Sequence, residues 1–155
     1  MKDEKKSKGI FPKKRSVSRL AAVQALYQVF FRGETPSLVV RQFIENNILE
    51  ENFIPNSSTL DVSLFSQLVL GVSDKQEMLD DILRQNLSVE WPFERIDPII
   101  IAILRCGLFE ILTFLDVPIA VIISEYIDVG HAFCGEKEAH FVNGFLDRLA
   151  HLLRS

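Results

Sequence analysis

The segment that most restricts the fold is the apolar run from Ile99 to Leu115, in which Arg105 and Glu110 are the only charged residues. At 17 residues, the run is short for a membrane span, which needs about 20 apolar residues, and its two charges oppose membrane insertion. A helix that is apolar on nearly all sides must instead be enclosed by other helices. The run therefore predicts a central core helix and no association with a membrane.

Most of the remaining chain has apolar residues at three- and four-residue spacing, the period of amphipathic helices, and no alternating pattern typical of strands. The pattern predicts an all-α protein of six or seven helices, over about residues 16–31, 36–50, 61–86, 98–115, 119–133 and 136–153, with a loop over 51–60. Ser16 or Ser18 is expected to cap the first helix. Gly71 is expected to allow a bend or close packing in the third.

Positive charge is concentrated at the N-terminus of an otherwise acidic chain. Residues 1–19 contain eight Lys or Arg and two acids, a net charge of +6, whereas the whole chain has a formal charge of −4. We expect residues 1–14 to form a flexible basic arm and residues 15–155 a single helical domain. A basic arm on an acidic body favours a polyanionic partner at one end. A solubilising tail is the alternative.

The first helix carries residue types that suit single-stranded RNA. Arg15 and Arg19, next to Lys14, are four residues apart, and Gln24 and Tyr27 are three apart, so each pair shares a helix face. Arg and Lys bind phosphates, Gln can bond base edges, and an exposed Tyr can stack on an unpaired base, worth about 1–3 kcal/mol. The alternatives are a core role for Tyr27, which the periodicity favours, and a solvated Gln24.

The sequence contains no motif that indicates catalysis. A Gly-rich phosphate loop and a GxSxG nucleophile motif are both missing. The two cysteines, Cys106 and Cys134, fit free thiols in a reducing cytoplasm, and the His and Cys residues lack the spacing of a zinc site. We therefore expect no enzyme activity, no cofactor, no metal site and a cytoplasmic location.

Four blocks of sequence together resemble the NusB family of bacterial transcription antitermination factors, in the family's order and spacing. The blocks are AAVQALYQ (21–28), AILRCGLFEIL (102–112), VPIAVIISEYIDVGHAF (117–133) and FVNGFLDRLA (141–150). The resemblance covers nearly the whole chain from Arg15 on. It implies an all-α, NusB-like fold of two packed helical bundles, without enzyme activity.

The resemblance also implies partners. Proteins of this family pair with NusE, which is also a small-subunit ribosomal protein, and the pair binds the boxA element of nascent RNA. This binding helps the RNA polymerase elongation complex resist termination, especially on ribosomal RNA operons. Some members self-associate, and the sequence leaves open whether this chain forms a homodimer.

By motif position, the resemblance assigns an RNA-binding role to residues on three helices. Three of these residues, Arg19, Gln24 and Tyr27, are also indicated by their spacing on the first helix. The resemblance adds four more: Arg105, Phe141, Lys137 and His140. Taken without the resemblance, Arg105 and Phe141 would be expected in the core. An arginine in an apolar helix is costly unless it is paired or reaches the surface, so a salt bridge is the alternative for Arg105. Lys137 stands where an acid can occur in the family, and we expect it to attract phosphate.

Ile99, Ile100 and Ile101 depart from the family, which often has charged residues in this turn. One helix cannot easily bury three consecutive side chains on a single face. At least one of the three is therefore expected to lie in a groove where NusE docks. The alternative is a helix that is enclosed on every side.

Two other functions agree with the residues. A similar all-α module precedes the catalytic domain of some ribosomal RNA cytosine methyltransferases, in which case the chain would be a fragment. A protein–protein scaffold with a solubilising arm would have no affinity for RNA.

Overall fold

The computed structural model describes residues 14–45 and 60–154. These residues contain seven α-helices and no strand: α1 (Lys14–Arg32), α2 (Pro36–Glu45), α3 (Val62–Asp74), α4 (Gln76–Asn86), α5 (Pro98–Thr113), α6 (Ile119–Phe133) and α7 (Glu136–Arg154). A 3-10 turn, Phe93–Arg95, lies in the linker between α4 and α5. The predicted all-α class is confirmed. Three predicted stretches lie outside the described residues: the arm before Lys14, residues 46–50 of the second helix, and the loop up to residue 59.

Helix α5 is the element around which the others assemble, as its composition predicts. Every residue from 100 to 111 is buried, and α5 packs against α1, α3, α4, α6 and α7. The Asp97 carboxylate caps the helix by accepting a hydrogen bond from the Ile99 N–H at 2.9 Å. Among the described residues, no helix combines the length and hydropathy needed to cross a membrane.

The helices form two packed bundles. Helices α1, α2 and α3 pack together, as do α5, α6 and α7, with α4 packed on α5. Helix α1 also packs on α5 and α6, so it joins one bundle to the other. The two-bundle fold that the resemblance implied is therefore confirmed.

The single long helix expected over residues 61–86 is wrong, because α3 ends at Asp74 and α4 begins at Gln76. The apolar pattern continues across this break, which is why the sequence conceals it. Gly71 lies four residues before the break and serves close packing. A Cβ added there would collide with the ring of Phe109 on α5.

The two ends of α1 differ in how well the sequence predicts them. Neither Ser16 nor Ser18 caps the helix, because α1 already begins at Lys14. Instead, the Ser18 hydroxyl accepts a hydrogen bond from the Asp61 N–H at 2.7 Å and ties the start of α3 to α1. The predicted end is correct: Gly33 has a φ of +68°, and its N–H donates to the Val29 carbonyl.

Arg154, at the end of α7, closes the C-terminal end of α5. Its guanidinium donates hydrogen bonds, between 2.6 and 3.3 Å long, to four carbonyl oxygens, those of Glu110, Ile111, Phe114 and Val117. Carbonyls at a helix C-terminus lack partners within the helix, and a cation there interacts favourably with the helix dipole. Arg154 therefore fixes the last turn of α7 against the central helix.

We expect Arg154→Ala to lower the free energy of unfolding by about 1–3 kcal/mol, because four carbonyls lose a charged donor. Arg154→Lys should recover only part of this loss, since an ammonium cannot reach the four acceptors as a planar fork does. Chemical denaturation measures both. Arg41→Ala, an exposed arginine on α2, is the control and should change stability by less than about 0.5 kcal/mol. Equal stability of Arg154→Ala and wild type would contradict the role.

Candidate nucleic-acid interface

Lys14 and Arg15 lie exposed at the N-terminus of α1, as their predicted role requires. The Arg15 guanidinium is 3.9 Å from the Asp61 carboxylate, and its side chain is 56% exposed. An exposed ion pair of this kind contributes little, about 0–1 kcal/mol, so Arg15 remains available to a phosphate. An open groove of about 540 Å³ beside both residues is bounded on the far side by Val121 and Glu125 of α6.

Arg19 is not a surface residue, and the expectation that it binds RNA is corrected. Its side chain is 3% exposed. Its guanidinium donates two hydrogen bonds to the Glu110 carboxylate, at 2.7 and 2.9 Å, and lies 3.3 Å from the Glu125 carboxylate. A buried guanidinium with two carboxylate partners has no free face for phosphate. Arg19 therefore anchors α1 to α5 and α6.

Glu110 is the centre of this buried cluster, which we call the Glu110 network: Arg19, Glu110, Glu125 and Tyr126. The Tyr126 hydroxyl donates to the same Glu110 carboxylate. Burial and the Glu110 charge raise the pKa of Tyr126, so the phenol stays protonated and donates. Burial by itself lowers the pKa of Arg19, but the hydrogen bond and charge of Glu110 outweigh it, and the net pKa is raised. The Arg19 guanidinium is thus shared between two carboxylates, and the Tyr126 hydroxyl donates a further hydrogen bond to the buried one, that of Glu110.

Arg105 is likewise buried, at 2% exposed, which corrects its predicted contact with RNA. Its guanidinium donates to both carboxylate oxygens of Asp80 on α4, at 2.8 and 2.9 Å. It also lies over the ring of Phe30 at 4.4 Å and near that of Phe93 at 5.9 Å. The salt bridge that the sequence left as the alternative is therefore the one present, and Arg105 connects α1, α4, α5 and the α4–α5 linker.

Gln24 and Tyr27 are both half-buried on α1. The Tyr27 ring stacks on Phe31, with centroids 5.2 Å apart and planes 9° from parallel, and Phe31 is exposed. The Gln24 Oε1 atom is buried and has no hydrogen-bond partner in the structure. Buried polar atoms normally have one. Tyr27 is thus neither a core aromatic nor a free one, and its role in RNA binding stays a prediction.

The predicted residues of α7 lie near its N-terminal end. Lys137 and His140 are exposed, and Phe141 is half-buried. The Phe141 ring is stacked between two others, those of Trp91 and Phe145, with both centroid distances 5.7 Å. Phe141 is therefore part of an aromatic stack at the surface. This half-buried position is intermediate between the core position and the RNA-binding position that the sequence analysis considered.

The three consecutive isoleucines have different environments. Ile100 and Ile101 are buried in the core, so their expected contact with a protein partner is wrong. Helix α5 is enclosed by five other helices, which lets one turn bury side chains on more than one face. Ile99 is half-buried and is the one of the three that a partner can reach.

Sequence patterns give no indication of a role for Trp91, the chain's only tryptophan, or for Arg84 and Arg148, which lie over the rings of Phe93 and Phe145. Trp91 lies in the polar linker between α4 and α5, outside every amphipathic pattern, and so carried no periodic signal. A tryptophan in a linker is itself unusual enough to have been a signal.

The described residues contain no group of three His, Cys, Asp or Glu side chains placed to hold a metal ion.

Residues 16–151 match the model of the NusB family. The chain belongs to the NusB family. A transcription antitermination protein NusB from Brucella anthropi is 43% identical over 141 residues, which span 91% of this chain and 84% of that protein. The NusB of Gluconobacter oxydans is 40% identical over 142 residues, spanning 88% of this chain and 86% of the relative. The NusB resemblance in the sequence is thus confirmed.

Solved NusB structures share the fold. A crystal structure of NusB from T. maritima has a TM-score of 0.74 and 27% identity, covering 88% of this chain and 90% of that one. A second chain, from the crystal structure of antitermination factors NusB and NusE in complex with dsRNA, has a TM-score of 0.72 and 25% identity, covering 90% and 97%. The NusB fold is therefore present along nearly the whole chain.

We expect Arg19→Ala to lower the free energy of unfolding by about 3–5 kcal/mol, because it leaves Glu110 buried without its cation. Chemical denaturation measures the loss. Arg15→Ala, which removes an exposed arginine from the same helix, is the matched control and should cost less than about 1 kcal/mol. An Arg19→Ala protein that keeps its stability but loses RNA affinity would instead place Arg19 in the RNA site.

Proposed function

We propose that the chain is a non-enzymatic, RNA-binding transcription antitermination factor of the cytoplasm. With a NusE-type ribosomal protein it binds boxA-type elements in nascent RNA, chiefly ribosomal RNA transcripts, and helps the RNA polymerase elongation complex resist termination. The observation that most strongly supports this proposal is the similarity, along nearly the whole chain, to proteins named transcription antitermination protein NusB, at 43% and 40% identity. One structural relative was solved with NusE and RNA.

The proposed RNA surface combines exposed cations with partly exposed rings. Lys14 and Arg15 on α1 and Lys137 on α7 supply positive charge for phosphates, and His140 lies beside Lys137. The rings are those of Tyr27 and Phe141, and the half-buried Gln24 lies one helical turn before Tyr27. Arg19 and Arg105 take no part in direct contact. They position the surface, because each ties α1 to the central helix α5.

Rings of this kind favour unpaired bases, because a base can stack on a side chain only when it is free of its own stack. We therefore propose single-stranded RNA as the preferred ligand of this chain. The NusB–NusE relative was solved with dsRNA. Comparing single-stranded and duplex RNA of one sequence tests the preference directly.

The proposed protein partner fits the charge of the chain. Residues 20–155 carry a net charge of −10, because residues 1–19 hold +6 of a total of −4. A basic ribosomal-type protein would be attracted to such a body. Ile99 supplies an accessible apolar contact at the start of α5, and Asp97 beside it is exposed and caps the helix.

We expect the affinity for a short boxA-type single-stranded RNA to fall as salt rises, because phosphate contacts release counterions. Fluorescence anisotropy of labelled RNA, with and without NusE, measures the slope of log affinity against log salt. Arg15→Ala and Lys137→Ala should each reduce its magnitude by about 0.7, the value for one phosphate on a single strand. The reversed charge in Lys137→Asp should weaken binding further.

Arg41→Ala is the matched control for these variants, because Arg41 is exposed on α2, a helix without any proposed RNA residue. It should leave the affinity and the slope unchanged. Undetectable binding at every salt concentration, with or without NusE, would reject the function and favour a protein–protein scaffold.

We expect NusE to protect the first turn of α5 from hydrogen exchange, and Ile99→Ala to weaken NusE binding, because Ile99 is the reachable isoleucine of that turn. Exchange read by mass spectrometry and a titration of NusE provide the two measurements. Leu70→Ala, an exposed apolar residue on α3, is the control. A complex that leaves this turn unprotected would place the NusE contact elsewhere.

A further inference from the structure

The α4–α5 linker places the chain's only tryptophan at the surface, on top of α7. The Trp91 side chain is 47% exposed. Its ring stacks on Phe141, with centroids 5.7 Å apart and planes 21° from parallel, and Phe141 stacks on buried Phe145 in the same way. The three rings form a stack that runs from the core to the surface and ends in a half-exposed indole. Such a ring is held in place by its neighbours yet remains accessible to a ligand.

Cations lie beside this stack and beside the linker that carries Trp91. The Arg148 guanidinium is 5.2 Å from the Phe145 centroid and donates to the Asn86 carbonyl, at the end of α4. Arg84 lies over Phe93 at 4.2 Å. Lys137 is one helical turn before Phe141 on α7. Stacked rings with surrounding Arg and Lys are the composition of single-strand nucleic-acid sites.

The linker also carries acidic side chains, and these favour contact with an RNA base over contact with a phosphate. Glu90 and Glu94, which precede and follow Trp91 in the sequence, are exposed, and the Glu94 carboxylate lies 3.4 Å from the Arg84 guanidinium. Carboxylates repel a phosphate, so this spot is suited to a base more than to the sugar–phosphate backbone. The exposed large apolar side chains of the linker are Trp91 and Val89, and a protein partner would need a wider apolar surface than these two supply.

The Trp91 stack is connected to the proposed RNA residues of α1. Phe30, one turn after Tyr27, lies under the Arg105 guanidinium, which also reaches Phe93, two residues from Trp91. On the other side, Trp91 contacts Phe141, itself a predicted RNA residue. The linker therefore bridges the two halves of the proposed surface, on α1 and α7.

We propose that Trp91 stacks on an unpaired RNA base and forms the middle of an interface that runs from α1 across the α4–α5 linker to α7. The inference rests on the proposed function and assigns a base-binding position within it. Indole offers the largest π-face of the natural side chains and stacks on any base. Trp91 therefore supplies affinity without reading sequence, and the cations on α1 and α7 hold the backbone on either side.

The intrinsic fluorescence of the full chain tests the contact directly, because its single tryptophan makes the signal specific to Trp91. A short boxA-type single-stranded RNA should quench the emission and saturate at the affinity that anisotropy measures. A series of RNAs with one abasic position each should include one that binds but quenches less. The same sequence as a blunt duplex, which offers no unpaired base, should not quench.

Variants then separate stacking from charge. Trp91→Ala should weaken RNA binding by roughly 5- to 100-fold, the equivalent of one lost base stack, and Trp91→Phe should recover most of the loss. The slope of log affinity against log salt should stay the same in both, because no phosphate contact is removed. Val89→Ala is the matched control: Val89 lies two residues away in the same linker and is 95% exposed.

Three results would overturn the inference. RNA binding with unchanged emission and an unaffected Trp91→Ala would remove Trp91 from the site and leave the proposed function intact. Emission that responds to NusE alone and not to RNA would make the occupant a protein. No RNA binding at all would remove the proposed function together with the inference. If Trp91→Ala does not fold by circular dichroism, the emission and Trp91→Phe data decide.

Discussion

The bidentate pair between Arg19 and Glu110 is the interaction on which the rest of the structure depends. Glu110 lies fully buried in the C-terminal half of the apolar helix α5, where an unpaired carboxylate would cost several kcal/mol. Arg19 neutralises it, and Tyr126 donates a further hydrogen bond. The three groups come from α1, α5 and α6, so pairing the charge also fixes the helix that joins the two bundles.

Arg105, at the middle of α5, follows the same physical rule. Its pair with Asp80 and its contact with Phe30 hold α4 and the C-terminal half of α1 to the centre. The two buried arginines therefore define where the exposed face of α1 lies relative to α7. A basic residue in a family motif can thus have a structural role, because it fixes the position of exposed residues on a neighbouring helix.

Helix existence was predictable because apolar periodicity and end signals are local. Pro98 and Asp97 mark the start of α5, and Gly33 marks the end of α1. The break between α3 and α4 was not predictable, since Lys75 adopts a non-helical conformation without a Gly or Pro and the apolar spacing continues past it. The burial of Ile100 and Ile101 likewise depends on how many helices surround α5, which no local pattern contains.

The sequence by itself determined the helical class, the central place of α5, the basic character of the N-terminus and the NusB family. Only the tertiary structure decided which cations are free. Arg15 and Arg19 share a helix face by spacing, yet one is exposed and the other is buried. The difference arises because the carboxylates that capture Arg19 come from α5 and α6, about a hundred residues away in the chain. The stacking partner of Trp91 likewise comes from α7, which packs beneath the linker, so the sequence around Trp91 does not contain it.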